Sequence, residues 1–135
     1  CIITLDQRHL DARALETMLA DARSAADKFA REGGINVSWE RLWQISPRPF
    51  HDDLIELCDV AIRETCGKTH RMPSGPLHDA AETAAAGVPT VMMFVQSLHG
   101  ISHNKIEDTK EEHIEMAVIA FDRLAEKTMH WILSR

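Results

Sequence analysis

Between Asp11 and Gly34 the apolar residues Leu15, Met18, Leu19, Ala22, Ala26 and Phe29 recur every three or four positions. That spacing puts them on one face of an α-helix, with Asp11 placed to cap its start and the Gly33-Gly34 pair to end it. On either side the period changes to two. In Cys1–Asp6, Ile3 and Leu5 alternate with Thr4 and Asp6, and in "INVSWERLW" Ile35, Val37 and Trp39 alternate with polar neighbours, the pattern of half-buried strands. Residues 1 to about 45 therefore predict a strand–helix–strand unit covering one side of a small sheet.

"SPRPF" (Ser46–Phe50) interrupts this pattern with two prolines in three residues; these forbid a helix and lack donors for a central strand, so a boundary is expected there. From His51 to Cys66 a second helical stripe runs through Leu54, Leu57, Cys58, Ala61 and Ile62 and stops at Gly67. "THRMPSGPL" reads as a short extended piece with turn chemistry, and "HDAAETAAAG" as a short alanine-rich helix ending at Gly87. The run "VPTVMMFV" is continuously apolar and of strand length, as in a central strand covered on both faces. Thr109 with Glu112 three residues on resembles a capping box. It opens a last helix whose core face is expected to be Ile114, Ala117, Val118, Phe121, Leu124 and Ala125. The alternation of helix and strand predicts an α/β fold with a covered, mainly parallel sheet.

Composition narrows the function classes. Of the 135 residues, 44% are hydrophobic and 27% charged, a globular balance and not a disordered one. The formal charge of −6 argues against a nucleic-acid partner, which favours a basic face. No apolar run approaches the ~20 residues that span a bilayer, and no signal peptide is visible. The chain opens on Cys1 with no initiator Met, which suggests that its beginning has been cut away. Cys1, Cys58 and Cys66 form no CxxC pair; Cys58 and Cys66 lie in one helical pattern and are expected to pack as small hydrophobes, with a reducing cytoplasm as the simplest setting. Eight histidines against no tyrosine direct attention to metal or proton chemistry.

Three positions can carry chemistry. His103 sits in "GISHNKIED", just past the apolar run, in a loop opened by Gly100. Ligand sites gather at strand ends of α/β sheets, and a neutral imidazole there can ligate zinc or a similar metal; it can equally be a solvated loop residue. His78 opens the short helix with Asp79 in its first turn, where backbone N–H groups favour an anion; the alternative is a surface histidine beside a helix-stabilising aspartate. Arg8, in "LDQRH", follows the first strand and can clamp a carboxylate bidentately or form an ordinary surface ion pair. Met92 and Met93 read as core packing.

The order "LDQRH", helix, "PSGPLHDA", "PTVMMFVQSLHGISHN" and terminal helix resembles the C-terminal third of the M20-type metal-dependent amidohydrolases. Within them it is most similar to the hydantoinase/carbamoylase branch of N-carbamoyl-L-amino-acid hydrolases and allantoate amidohydrolases. The resemblance covers essentially the whole chain and is most specific where "HDA" and "GISHN" occur together. It implies that residues 1–46 are the closing β-α-β half of an α/β dimerisation domain. Residues 47–135 are then the C-terminal part of a catalytic domain holding two divalent metals (zinc, manganese or cobalt).

By the same resemblance His103 is a metal ligand, while His78 and Arg8 bind substrate, Arg8 through the substrate's carboxylate. The implied activity is hydrolysis of an N-carbamoyl amino acid or related ureido compound by a cytoplasmic homodimer, with no nucleic-acid or membrane partner. Pro76 and Leu77 depart from the small residues usual before "HDA", a difference that bears on specificity. The family's remaining metal ligands and its general base belong to a part not found in these residues. Stable zinc sites need three or four protein ligands, so the chain alone is expected to hold no metal stably, to contain no catalytic residue and to be inactive. Two alternatives are an M20 peptidase or aminoacylase-like hydrolase, and a free-standing, non-catalytic dimerisation module.

Overall fold

The Asp11 carboxylate accepts the Arg13 N–H at 2.8 Å in a computed structural model of the chain, which describes residues 1–135. This is the capping bond that its position predicts, and it starts helix α1 (Ala12–Gly33). Gly34 ends the helix in the left-handed conformation (φ 62°), where a residue with no Cβ is under no strain. The chain divides into two units, Cys1–Arg48 and Pro49–Arg135, a division that falls within the proline-interrupted stretch. In the first unit the Arg23 guanidinium lies over the Trp39 ring at 5.7 Å. No residue of α1 is fully buried: the apolar stripe is real, but little in the unit covers it.

The second unit is built on two helices, α2 (Asp52–Cys66) and α4 (Glu111–Leu133), which pack against each other. Side-chain bonds join Trp131 to Asp53 (2.9 Å), Arg123 to Thr65 (2.8 Å) and Lys127 to Glu64 (3.0 Å). Early residues of α2 therefore meet late residues of α4, and the helices run antiparallel. Cys58, Ala61 and Leu124 form the centre of the core, with Leu57, Ile62, Val91 and Met93 packed around them. Between these helices come the short helix α3 (Asp79–Ala85) and a 3-10 turn at Leu98–Gly100.

The expected α/β architecture with a covered, mainly parallel sheet is wrong for this chain. About half of the residues are helical and none is in a strand. The segments expected as strands, the short extended piece in "THRMPSGPL" included, form no ladder. A strand exists only through a ladder of bonds to a neighbour, and the period-two pattern specifies a face without supplying that neighbour. Val88–Val95 illustrates this: its backbone bonds are His51 N–H to the Thr90 carbonyl (3.0 Å) and Val88 N–H to the Thr83 carbonyl (3.3 Å). It runs as a single extended segment, laying Val91 and Met93 on the helical core while Phe94 and Val95 remain exposed. Cys1–Asp6 and Ile35–Trp43 likewise carry no ladder.

Two details of α4 also differ from expectation. It starts at Glu111 with Lys110 at the cap position and no side-chain cap, and the Thr109 N–H that a capping box would give to Glu112 goes instead to the Asp108 carboxylate at 2.8 Å. Its buried residues are Ala120 and Leu124, whereas Ile114, Val118 and Phe121 are exposed. They border an open apolar hollow of about 450 Å³ together with Met93, Val95, Thr109 and Ala117. The helix carries apolar residues on two adjoining faces, and only one of them has α2 to pack against.

Candidate functional site

The segment that follows Val88–Val95 is a loop closed at its base. Leu98 N–H donates to the Asp108 carbonyl at 2.8 Å, bringing the two ends of the loop side by side. Inside it, Ile101 N–H donates to the Leu98 carbonyl (3.2 Å) and Glu107 N–H to the Asn104 carbonyl (2.9 Å). The Asn104 side chain accepts the Ile106 N–H at 3.2 Å, an Asx-type turn that asparagine favours. Gly100 takes φ 67°, so it does open the bend, as a residue without Cβ readily can. The only non-glycine residues of the chain with positive φ are His99 (58°) and His103 (54°), both in this loop.

His103 is exposed, and its backbone N–H donates to Glu107 Oε2 at 2.9 Å. His78 is the cap residue of α3, with its carbonyl accepting the Ala81 N–H at 2.9 Å. Its half-buried ring stands edge-on to Phe94, with centroids 6.4 Å apart. His78 thus meets the extended segment at Phe94, while His103 follows that segment along the chain, in the loop beyond it. No hydrogen bond or ring contact joins the two histidines. Arg8, in the first unit, holds the exposed Asp6 carboxylate bidentately, Nε to Oδ1 at 3.2 Å and Nη2 to Oδ2 at 2.7 Å. The hydrogen bond from Arg8 is the main reason that the Asp6 carboxyl titrates below its ordinary range and Arg8 above its own.

A divalent metal needs three or four ligands in one place. The chain brings no three histidine, cysteine, aspartate or glutamate side chains together in such a cluster. Its residues do not by themselves fit a metal ion, and His103 offers one imidazole without companions.

Two polar clusters were missed in the sequence reading because their members lie beyond the reach of a single turn, in one of them at opposite ends of the second unit. Asp53 accepts from Trp131 Nε1 and from Arg135, both at 2.9 Å, and the Arg135 guanidinium stacks on the Trp131 ring at 3.8 Å. Asp59, only 14% exposed, accepts the Thr69 hydroxyl at 2.7 Å and Arg71 Nε at 2.6 Å, tying the segment after α2 back to the helix. Burial raises the Asp59 carboxyl, but the bonds from Thr69 and Arg71 and the nearby Arg63 charge outweigh it, and its pKa falls below the ordinary 3.8.

A carboxyl lowered on folding contributes stability above its unfolded pKa and loses it as pH falls through the folded value. The melting temperature of Asp59→Asn is therefore expected to lie below that of the wild type at pH 6. The gap should close as pH drops below 3.8. Equal gaps at pH 6 and pH 2.5 would show that the charge on Asp59 is irrelevant.

Residues 5–127 match the peptidase family M20/M25/M40. The N-carbamoyl-L-amino-acid amidohydrolase of Rhizobium meliloti is 33% identical over 112 residues, which are 82% of this chain and 26% of that protein. The allantoate amidohydrolase of Escherichia coli (strain K12) is 34% identical over 110 residues, 78% of this chain and 26% of its own length. An allantoate amidohydrolase of Bacillus subtilis (strain 168) is 27% identical over 124 residues, 92% of this chain and 30% of its own. The chain thus spans about a quarter of the length of the curated relatives it matches. No solved structure matches it significantly.

Proposed function

The chain belongs to peptidase family M20/M25/M40, and from that premise we propose that it is one part of a hydrolase that cleaves a C–N bond in an N-carbamoyl amino acid or related ureido compound. The observation that carries this reading is the match, over about four fifths of the chain, to relatives named for such substrates. An N-carbamoyl amino acid and allantoate share a ureido group beside a carboxylate, so one pocket chemistry serves both.

In this reading His103 supplies one ligand to a divalent-metal site completed by residues outside the chain. A metal there would act as a Lewis acid toward the scissile group. Three features support the assignment: His103 is exposed, its described hydrogen bond uses only the backbone, and its loop is pinned at both ends. His78 lines the substrate site from the start of α3. Arg8 binds the substrate carboxylate in place of Asp6; an exposed ion pair is weak, so this exchange of carboxylates costs little. Two copies of the enzyme associate as a homodimer, with residues 1–46 as the closing half of the pairing domain.

The test is a comparison of the 135-residue chain with the full-length enzyme, each assayed with zinc, manganese or cobalt. The substrates are an N-carbamoyl amino acid, allantoate, an N-acetyl amino acid and a dipeptide. Turnover of a ureido substrate by the long protein and none by the short one is the expected result. Turnover of only the acetyl or peptide substrate would move the assignment to the aminoacylase or peptidase side of the family. Turnover by the short chain above a His103→Ala control would overturn the division of the site.

A further inference from the structure

We propose that Glu107 is a positioning residue for His103: by accepting the His103 N–H, its carboxylate holds the histidine in the left-handed conformation from which the imidazole is presented. The proposal rests on the reading of His103 as a metal ligand, but the contact itself is independent of any metal.

A positive φ is strained for a residue with a Cβ, and the other positive-φ residues of the chain are four glycines and His99. His99 lies inside a 3-10 turn closed by backbone bonds on both sides. His103 has no such turn. Among Ser102–Lys105 its N–H is the one backbone donor with a partner, and that partner is the Glu107 side chain at 2.9 Å. Asn104 is tied to the base of the loop by accepting the Ile106 and Glu107 N–H groups, and the backbone of His103 by its bond to Glu107. The acceptor is well mounted: Glu107 N–H is bonded to the Asn104 carbonyl, and the adjacent Asp108 carbonyl takes the Leu98 N–H. An ionised acceptor makes the bond about twice as strong as a neutral one. Glutamate also has the reach to span the four-residue turn from the base of the loop to its tip.

The experiment has two arms. In the 135-residue chain, amide–water exchange is measured by NMR at His103 and Leu98 in the wild type, Glu107→Gln and Glu107→Ala. Glu107→Ala is expected to speed exchange at His103 on the order of tenfold, the worth of one charge-assisted bond, with Leu98 unchanged. Glu107→Gln, which keeps an acceptor oxygen, restores part of the protection. No change at His103, equal effects of Gln and Ala, or equal acceleration at Leu98 would each overturn the proposal, the last by making Glu107 a general support of the loop.

In the full-length enzyme, zinc retention against a chelator is compared for Glu107→Ala, Glu107→Gln and His103→Ala. A loss of roughly 10–100-fold in affinity is expected for Glu107→Ala, as for groups that orient metal ligands, with partial rescue in Glu107→Gln. Zinc lost in His103→Ala but kept in Glu107→Ala would sink the positioning role. Zinc kept in His103→Ala would sink the ligand assignment and leave the loop contact to be judged by exchange alone.

Discussion

Replacing His103 by alanine in the full-length enzyme is expected to lower kcat/KM on the order of a thousandfold, since a Lewis acid is worth several kcal/mol and each ~1.4 kcal/mol is a factor of ten. Metal content measured on the purified variant should fall with it. His78→Ala and Arg8→Ala are expected to act differently. Neither is read as a ligand, so both should keep their metal and raise KM. Arg8→Lys should recover little, because a lysine ammonium cannot reproduce the forked grip that Arg8 already shows on Asp6. The split between metal loss at one histidine and KM loss at the other is the discriminating result. A His103→Ala enzyme with full metal content and activity would remove the basis for assigning the loop to the site.

How far the sequence led depends on how local each signal is. The start and end of α1 were legible because Asp11 and Gly34 act within one turn of themselves. The same holds for the stop of α2 at Gly67 and for the bend at Gly100. His103, Arg8 and His78 were singled out through the motifs around them, and their roles rest on that resemblance. The strands failed because alternation describes one chain segment, whereas a ladder needs two. Val88–Val95 has the composition of a central strand and meets only single backbone bonds on its way past the helices. The polar ties were hidden for a related reason: nothing in "HDDLIE" shows that Asp53 will meet Trp131 and Arg135. Glu107 was within reach. A carboxylate four residues after a loop histidine, with asparagine between them, is a signal for a side-chain-to-backbone turn.

The second large effect concerns α4, where sequence pattern and structure disagree about which residues matter. Periodicity placed Phe121 and Leu124 on one core face. In the structure Leu124 is 6% exposed against Cys58 and Ala61, while Phe121 is 63% exposed. Leu124→Ala in the 135-residue chain removes buried methyl groups from a core with few others and leaves a cavity, which costs about 2–4 kcal/mol. A unit of this size has total stability of only roughly 5 kcal/mol at the low end, so that loss removes much of the cooperative unfolding of α2 and α4. Phe121→Ala removes a larger side chain from a position that water already reaches, and surface changes of that kind usually fall within about 0.5 kcal/mol. Thermal melts followed by helix circular dichroism are therefore expected to rank Leu124→Ala far below Phe121→Ala, with Phe121→Ala near the wild type. The reverse order would mean that α4 packs through the face exposed here and that the antiparallel pairing marked by Trp131–Asp53 and Arg123–Thr65 is not the one in solution.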